Sequence, residues 1–237
     1  MPEPFETLAW LRGGTSSIVA RASDLRGVDV VFVALHGGSG EDVTLQAVLD
    51  AADAVAASLG LPVVVKPNKQ GSTVGLSVVR EARDLDSAIA LAAQYDDEVM
   101  VERFVAGREL TVGILEGTPL AVGEIKPRLS PVFDYASKYQ PGGADEIFPA
   151  DLPPETTRLV QSLGVQAHRA VKAGPYSRAD FRLDAAGQPW CLEVNTVPGM
   201  TSTSLLPQSA EALGVAFPEL CDRICRAAVK NFRLKTR

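Results

Sequence analysis

The stretch RADFRLDAAGQPWCLEVNTVPGMTSTS, Arg178 to Ser204, decides how this chain is read. Two alternating runs flank AAGQ, a hairpin signal, so Tyr176–Asp184 and Pro189–Asn195 are expected as paired strands. Successive side chains of a strand point to opposite faces. In the first strand Arg178, Asp180 and Arg182 alternate with Ala179, Phe181 and Leu183. In the second, Cys191, Glu193 and Asn195 share one face, and Trp190, Leu192 and Val194 share the other. A hairpin centred on Ala186–Gly187 sets Asp180 directly opposite Glu193. Two carboxylates and an amide oxygen then converge, with Arg178 beside them. Oxygen-only ligands of this kind suit Mg2+, which takes carboxylates together with substrate phosphates. Taken alone, the pattern also describes a solvated hairpin face with Arg182 as ion-pair partner. VPGMTSTS follows at once. There Gly199 can bring a backbone N–H close to a substrate oxygen, and Ser202 and Ser204 offer hydroxyls to a carboxylate.

Upstream, LPVVVKPNKQGSTVGLSVV (Leu61–Val79) delivers Lys66 from a strand to the rim of a Gly-rich loop. Loop amides with a lysine at the rim make a phosphate cradle. A plain hairpin loop has the same bare pattern. In VMVERFVAGREL, Glu102 and Glu109 stand beside a chain reversal at Ala106–Gly107. Backbone groups there can read a base edge, and a carboxylate can accept ribose hydroxyls; exposed strand-end glutamates are the plainer reading. Ser130–Leu152 is polar, rich in Gly and Pro, and carries FDYASKY with Tyr135, Lys138 and Tyr139. A loop of this length is expected to be functional or disordered, and a cationic, aromatic one can close over a phosphorylated intermediate.

The remaining segments complete an α/β chain. Val28–Leu35 (VDVVFVAL) is a near-continuous apolar, β-branched run that reads as a buried parallel strand. It ends at His36 in a Gly-rich turn, and Thr44–Leu59 reads as helix. Strands are expected at Leu61–Lys66, Leu76–Arg80, Glu98–Phe104, Glu109–Leu115 and Leu120–Lys126. Helices are expected at Asp84–Gln94, Pro154–Lys172, Ala210–Leu213 and Pro218–Arg233. Leu85, Ala88, Ile89 and Ala92 fall on one face of the first of these. His168 shows no partner signal and reads as a surface or packing residue.

Composition bounds the function. Of 237 residues, 46% are hydrophobic and 22% charged, which fits a globular protein with a sizeable core. A net charge of −6 argues against non-specific binding to nucleic acid or anionic membrane. Cys191, Cys221 and Cys225 match no zinc or disulfide spacing and are expected as buried free thiols. MPEPFETLAW has no basic start and no apolar run, so no secretory signal is expected. The Ala-rich stretch Leu49–Leu61, about 13 residues, is too short to span a bilayer. A soluble, cytoplasmic protein is the expectation.

In this order, VKPNKQGSTVGLS, FDYASKY, SRADFRLD and LEVNTVPGMTSTSLLP resemble the D-alanine–D-alanine ligases of the ATP-grasp superfamily. The resemblance runs from Leu61 to about Phe217 and again over Val31–Gln46. It implies an ATP-grasp fold, α+β in its C-terminal part, behind a truncated Rossmann-like N-terminal domain. Residues 1–60 would form that domain, 61–115 a small ATP-binding lobe, and 116–237 a lobe for Mg2+ and substrate. It implies ATP-dependent joining of two D-alanines through an acyl phosphate, for peptidoglycan precursors. By the same resemblance Lys66 and Lys138 contact ATP phosphates. Glu102, Arg103 and Val105 hold adenine, the last two through their backbone, and Glu109 binds ribose. Asp180, Glu193 and Asn195 hold two Mg2+ (or Mn2+) ions. Arg178 and the Gly199 amide stabilise the tetrahedral oxyanion. Ser72, Ser204 and Leu205 position the attacking amino acid, His36 faces the first one, and Tyr139 accompanies an amine acceptor. A homodimer is common in the family. Three departures stand out: Ile18 occupies the position of a glutamate that anchors the first amino group, the N-terminal domain is shortened between Ile18 and Val30, and only 14 residues separate Gln46 from Leu61, where the family carries an αβ segment with another phosphate-binding lysine. A ligase for another amino acid pair, or a non-catalytic nucleotide-binding remnant, are the alternatives.

Overall fold

A computed structural model describes residues 30–34, 58–71, 73–128 and 143–235. The chain divides into two units, Met1–Phe104 and Val105–Arg237. In the first, strands β1 (Val30–Ala34), β2 (Val63–Pro67), β3 (Ser77–Val79) and β4 (Glu98–Arg103) form one sheet in the order β1-β4-β2-β3. Helix α1 (Leu85–Ala92) covers it with Leu85, Ala88, Ile89 and Ala92, the face anticipated from their spacing. These side chains pack with Val63, Val65, Val79, Val99 and Val101, all nearly inaccessible to water. The valines alternate along the strands, so one face of the sheet is a continuous aliphatic layer.

Strand β1 corrects the sequence reading twice. It pairs antiparallel with β4, Val31 opposite Val101, where a parallel strand was expected. It also joins the sheet of β2 to β4, where a separate domain over residues 1–60 was expected. An apolar, β-branched run signals burial; the direction of pairing follows from which strand edge is available.

The second unit holds β5 (Arg108–Leu115), β6 (Thr118–Pro127), β7 (Ala144–Ile147), β8 (Tyr176–Leu183) and β9 (Pro189–Asn195), in the order β7-β6-β5-β8-β9 and antiparallel throughout. β5 is central and buried from Leu110 to Leu115, because helices lie on both faces of the sheet. On one face α2 (Pro154–Ala170) packs against Leu110, Val112, Ile114, Ala179 and Phe181. The approach is so close that a Cβ on Gly164 would lie 2.6 Å from Val112 Cγ1. On the other, α3 (Leu205–Glu211) and α4 (Phe217–Lys235) bury Leu206, Ala210 and Leu220 against Leu115 and Leu120. At the α2 edge Arg108 grips Glu124 with two hydrogen bonds of 2.7 and 2.8 Å, and a third, of 2.8 Å, reaches the Asp151 carbonyl.

Several expected boundaries move. β5 pairs with β8 over its whole length, so it belongs to the second unit and not to a small lobe ending at Leu115. Ala106–Gly107 is therefore a passage from one sheet to another, not a hairpin. The expected loop Ser130–Leu152 contains β7, which adds to the edge of β6 with Glu124 opposite Ile147. An edge strand needs no periodic apolar side chains, which is why Ala-Asp-Glu-Ile reads as loop. α3 begins at Leu205, well before the expected Ala210. Pro207 lies in its first turn, where a missing N–H costs nothing, so the proline does not mark a break. The described cysteines carry no disulfide, as expected, yet Cys191 and Cys225 are exposed and Cys221 half-buried.

His168 has a partner that its sequence context does not signal: its Nδ1 lies 2.8 Å from Ser177 Oγ, and both residues are buried, His168 on α2 and Ser177 on β8. Burial, and secondarily the Arg169 charge, hold its imidazole below the ordinary value. Protons then favour the unfolded chain. Stability is whole above the unfolded pKa of about 6.5 and declines as pH falls through it. Thermal unfolding between pH 7.5 and 5.5 should show a steeper fall in Tm for the wild type than for His168→Gln. Parallel curves would mean that His168 does not titrate in this range.

Candidate functional site

The β8–β9 hairpin is closed by one carboxylate. Asp184 Oδ1 accepts the amides of Ala186 (2.9 Å) and Gln188 (2.8 Å), and Oδ2 accepts the Trp190 indole N–H (3.0 Å). These donors, Trp190 foremost, hold the Asp184 carboxyl below its ordinary value. Beyond this closure Asp180 stands opposite Glu193 and Arg178 opposite Asn195, the former the juxtaposition expected from the sequence.

The alternation expected along β9 is broken between the turn and that pair. The register shifts at Asp180/Phe181, so that Cys191 stands opposite Phe181 and Trp190 opposite Arg182, and Leu192 has no counterpart. One extra residue reverses the parity of everything on its far side. Glu193 and Asn195 keep the face of Asp180, while Trp190 crosses to it. The Cys191 thiol is pushed up to about 11, by local desolvation first and then by the Asp180 and Glu193 carboxylates, so it stays protonated.

Asp180 is saturated with donors. Arg178 reaches it through Nε (2.9 Å to Oδ1) and Nη2 (2.7 Å to Oδ2). Thr111 Oγ1 donates from β5 at 2.7 Å, and Asn195 Nδ2 at 3.1 Å. The same Asn195 amide donates to Glu193 Oε1 at 3.0 Å. Burial opposes the charge on Arg178, but Asp180, then Glu193 and Glu109, hold its guanidinium above the ordinary value. The site is thus a permanent cation beside two carboxylates joined through one amide.

This donor set fits a hard divalent cation. An oxygen of Asp180 and one of Glu193 already converge on a single donor, the neutral Asn195 side-chain amide. Turning the Asn195 amide over would put its oxygen in that place, making three oxygen ligands. Among the described residues no group of three or more His, Cys, Asp or Glu side chains is placed to hold a metal. Two carboxylates and an amide leave the remaining positions to water and phosphate oxygens, the habit of Mg2+.

Next to this face, the segment after β9 turns back on itself. Ser204 Oγ accepts the Thr201 amide at 3.1 Å and lies 2.8 Å from Thr201 Oγ1. A Cβ at Gly199 would stand 2.9 Å from Ser204 Oγ, so only glycine leaves that hydroxyl in place. Ser204 precedes Leu205, the first residue of α3. In β5, Glu109 lies opposite Arg182 and pairs with it at 3.2 Å, and Arg182 Nε donates to the Val105 carbonyl at 3.0 Å.

In the first unit Lys66 Nζ lies 2.7 Å from Glu102 Oε1, both side chains half-buried on the same side of the sheet. Arg103 ends β4. The Gly-rich loop after Lys66 is stapled to the segment Tyr95–Glu98. Asn68 donates to Glu98 through its amide N–H (2.9 Å) and its side chain (2.7 Å), and Lys69 Nζ sits 2.8 Å from Asp97. Asp96 accepts the amides of Lys69 and Glu98 with its side chain only 3% exposed. Burial pushes its carboxyl up, but these amides outweigh that and hold it at about 2. His36, Ser72, Lys138 and Tyr139 lie outside the described residues.

Thr111, Asp184 and Asp96 support the site without having been singled out in the sequence, and Arg182, read there only as an ion-pair partner on a solvated hairpin face, pairs with Glu109. Thr111 had a readable signal, since it shares the parity of Glu109 in an otherwise apolar strand. Asp184 is a local signal too, since its partners lie two to six residues on, whereas the partners of Arg182 and Asp96 include residues of distant segments.

An antiparallel two-sheet chain with these carboxylates on one strand pair has the ATP-grasp fold. A family model described as D-ala D-ala ligase C-terminus matches residues 30–226. The D-alanine–D-alanine ligase of Syntrophotalea carbinolica is 36% identical over 252 residues, covering 89% of this chain and 82% of its own. That of Geobacter sulfurreducens is 37% identical over 246 residues, with 85% and 78% covered. Among solved structures, the D-alanine–D-alanine ligase from Bacillus anthracis complexed with ATP matches with a TM-score of 0.69 at 28% identity, over 87% of this chain and 62% of that one. VanG D-Ala:D-Ser ligase from Enterococcus faecalis matches with a TM-score of 0.69 at 29% identity, over 84% and 56%. The chain belongs to the D-alanine–D-alanine ligase family, and it spans less than two thirds of each of these two solved chains.

Gly199→Ala should push the Ser204 hydroxyl out of place and lower kcat/KM for amino-acid ligation by roughly ten- to a hundredfold, with little change in Tm. Steady-state kinetics beside a thermal melt checks this. Unchanged kinetics would show that the turn relaxes without cost to the reaction.

Proposed function

We infer that this chain is an ADP-forming ligase that joins two D-alanines into D-alanyl-D-alanine for peptidoglycan synthesis. The observation that carries the reading is the convergence of Asp180, Glu193 and Asn195 beside Arg178, in a member of this family. A carboxylate is a poor electrophile. Transfer of the γ-phosphoryl group of ATP to it creates an acyl phosphate with a good leaving group; the amine of the second amino acid then attacks, and phosphate departs. The chain's own task is to place the reactants and to match charge as it develops.

Within that reading each residue has a role. Asp180, Glu193 and Asn195 would hold Mg2+ or Mn2+, two ions by family resemblance, which supply positive charge to the transferring phosphates. Arg178 carries a fixed charge toward the tetrahedral oxyanion, and the Gly199 amide is its second donor. Ser204, with its hydroxyl set by Thr201, and Leu205 position the attacking amino acid; Ser72, Tyr139 and His36 serve the amino-acid substrates. Lys66 and Lys138 are the phosphate contacts. Glu102 with the backbone of Arg103 and Val105 takes adenine, and Glu109 takes ribose. Among the described residues no helix is long and apolar enough to cross a membrane, and a cytoplasmic homodimer is the assembly proposed.

A coupled ADP-release assay with D-alanine, with product mass determined, tests the activity. Glu193→Gln removes one anionic ligand while keeping the shape of the strand pair. It should weaken Mg-ATP binding by about tenfold or more, and leave Tm within a few degrees. Titration calorimetry giving wild-type Mg-ATP affinity for this variant would overturn the metal assignment.

A further inference from the structure

Arg178 and Arg182 lie on the same face of β8, on either side of Asp180. Their partners differ. Arg178 turns to Asp180, whereas Arg182 turns to β5 and the residues before it. Its Nη1 lies 3.2 Å from Glu109 Oε2, and its Nε donates to the Val105 carbonyl at 3.0 Å. The two acceptors bracket the turn at Ala106–Gly107, so one side chain ties together both ends of that turn. Glu109 and Arg182 are direct cross-strand neighbours, and their side chains are only 16% and 12% exposed. A pair so shielded is not the solvent-screened kind that adds little. The guanidinium is planar and rigid, so two of its N–H groups hold two acceptors in one relative geometry, which a lysine ammonium does not do.

We propose that Arg182 is a positioning residue for the nucleotide: it fixes the Glu109 carboxylate and the Val105 carbonyl from the strand that carries Asp180. The inference rests on the reading of Glu109 as the ribose contact and of Val105 as an adenine contact. The pairing restricts the Glu109 carboxylate to one rotamer, the one from which it would meet the sugar hydroxyls. The Val105 carbonyl, held by Nε, sets the backbone angle at the residue whose peptide faces the base. The metal-binding strand and the sugar-binding segment thereby keep a constant separation, with Asp180 and Arg182 two residues apart on one rigid strand.

The test compares equilibrium binding of ADP and 2′-deoxy-ADP by titration calorimetry in the wild type, Glu109→Gln, Arg182→Met, Arg182→Lys and the Glu109→Gln/Arg182→Met double variant, with KM and kcat for ATP alongside. Expected is a preference for ADP over 2′-deoxy-ADP of about tenfold in the wild type, lost in Glu109→Gln. Arg182→Met should lose most of the same preference and raise KM for ATP about fivefold with kcat within about twofold, and should add little in the Glu109→Gln background. Arg182→Lys, which keeps the charge but not the fork, should fall between and covers the case in which Arg182→Met does not fold. If Glu109→Gln removes the preference while both folded Arg182 variants retain it, the positioning role is overturned and the ribose reading stands. If Glu109→Gln itself leaves the preference intact, the ribose reading fails and the inference fails with it.

Discussion

The pairing of β8 with β9 is closed at its loop by the Asp184 carboxylate, and the open face of the second sheet takes its arrangement from that closure. Three donors converge on Asp184 from Ala186, Gln188 and Trp190, which fixes where the chain turns. The register that follows sets Leu183 opposite Pro189 and Arg182 opposite Trp190. One extra residue is then absorbed at Leu192, and only because of it do Glu193 and Asn195 meet Asp180 and Arg178 on the same face as Trp190. A slip by one residue would carry both side chains, Glu193 and Asn195, into the layer of Phe181 and α2.

Charge on that face is arranged in matched units. Asp180 and Glu193 are like charges in close company, an arrangement that costs energy in the absence of cations. Arg178 and the Asn195 amide offset much of it, at distances of 2.7 to 3.1 Å. Glu109 has Arg182, and Glu124, on the opposite side of the sheet, has Arg108. The chain is acidic overall, yet each half-buried carboxylate near β5 has its own guanidinium. Such pairing restricts each carboxylate to one rotamer.

The rigidity behind this comes from β5. Its side chains from Leu110 to Leu115 are inaccessible to water because α2 packs on one face and α3 on the other. Thr111 reaches Asp180 from this strand, and Glu109 reaches Arg182, so both polar contacts are anchored in the best-packed part of the unit. α3 matters twice: it seals the core with Leu206, and its first turn holds Leu205 next to Ser204. Close packing holds the backbone from which these groups project, and the polar contacts then select their rotamers.

Much of the site was legible in the residues alone, because short-range rules decide it. The alternation of Arg178, Asp180 and Arg182 and the AAGQ turn signal mark the two paired strands, though the meeting of Asp180 with Glu193 also needs the extra residue at Leu192, and the period of 3.6 places Leu85, Ala88, Ile89 and Ala92 on one helical face. Motif order identifies the family, since residue types at fixed spacing carry the chemistry. Other features are not written in local pattern. The antiparallel pairing of β1, the membership of β5 in the second sheet, and the strand at Ala144–Ile147 depend on which edges are free to hydrogen-bond, a property of the assembled sheet. The reversed parity of Trp190 depends on a bulge, where an extra residue is tolerated only because both ends of the hairpin are independently held. The burial of His168 against Ser177, and the turn of Arg182 toward Glu109 rather than Asp180, were likewise decided by tertiary structure. Side chains distant in sequence compete for the same partner, and the competition is settled by the distances that the packed sheet and helices impose.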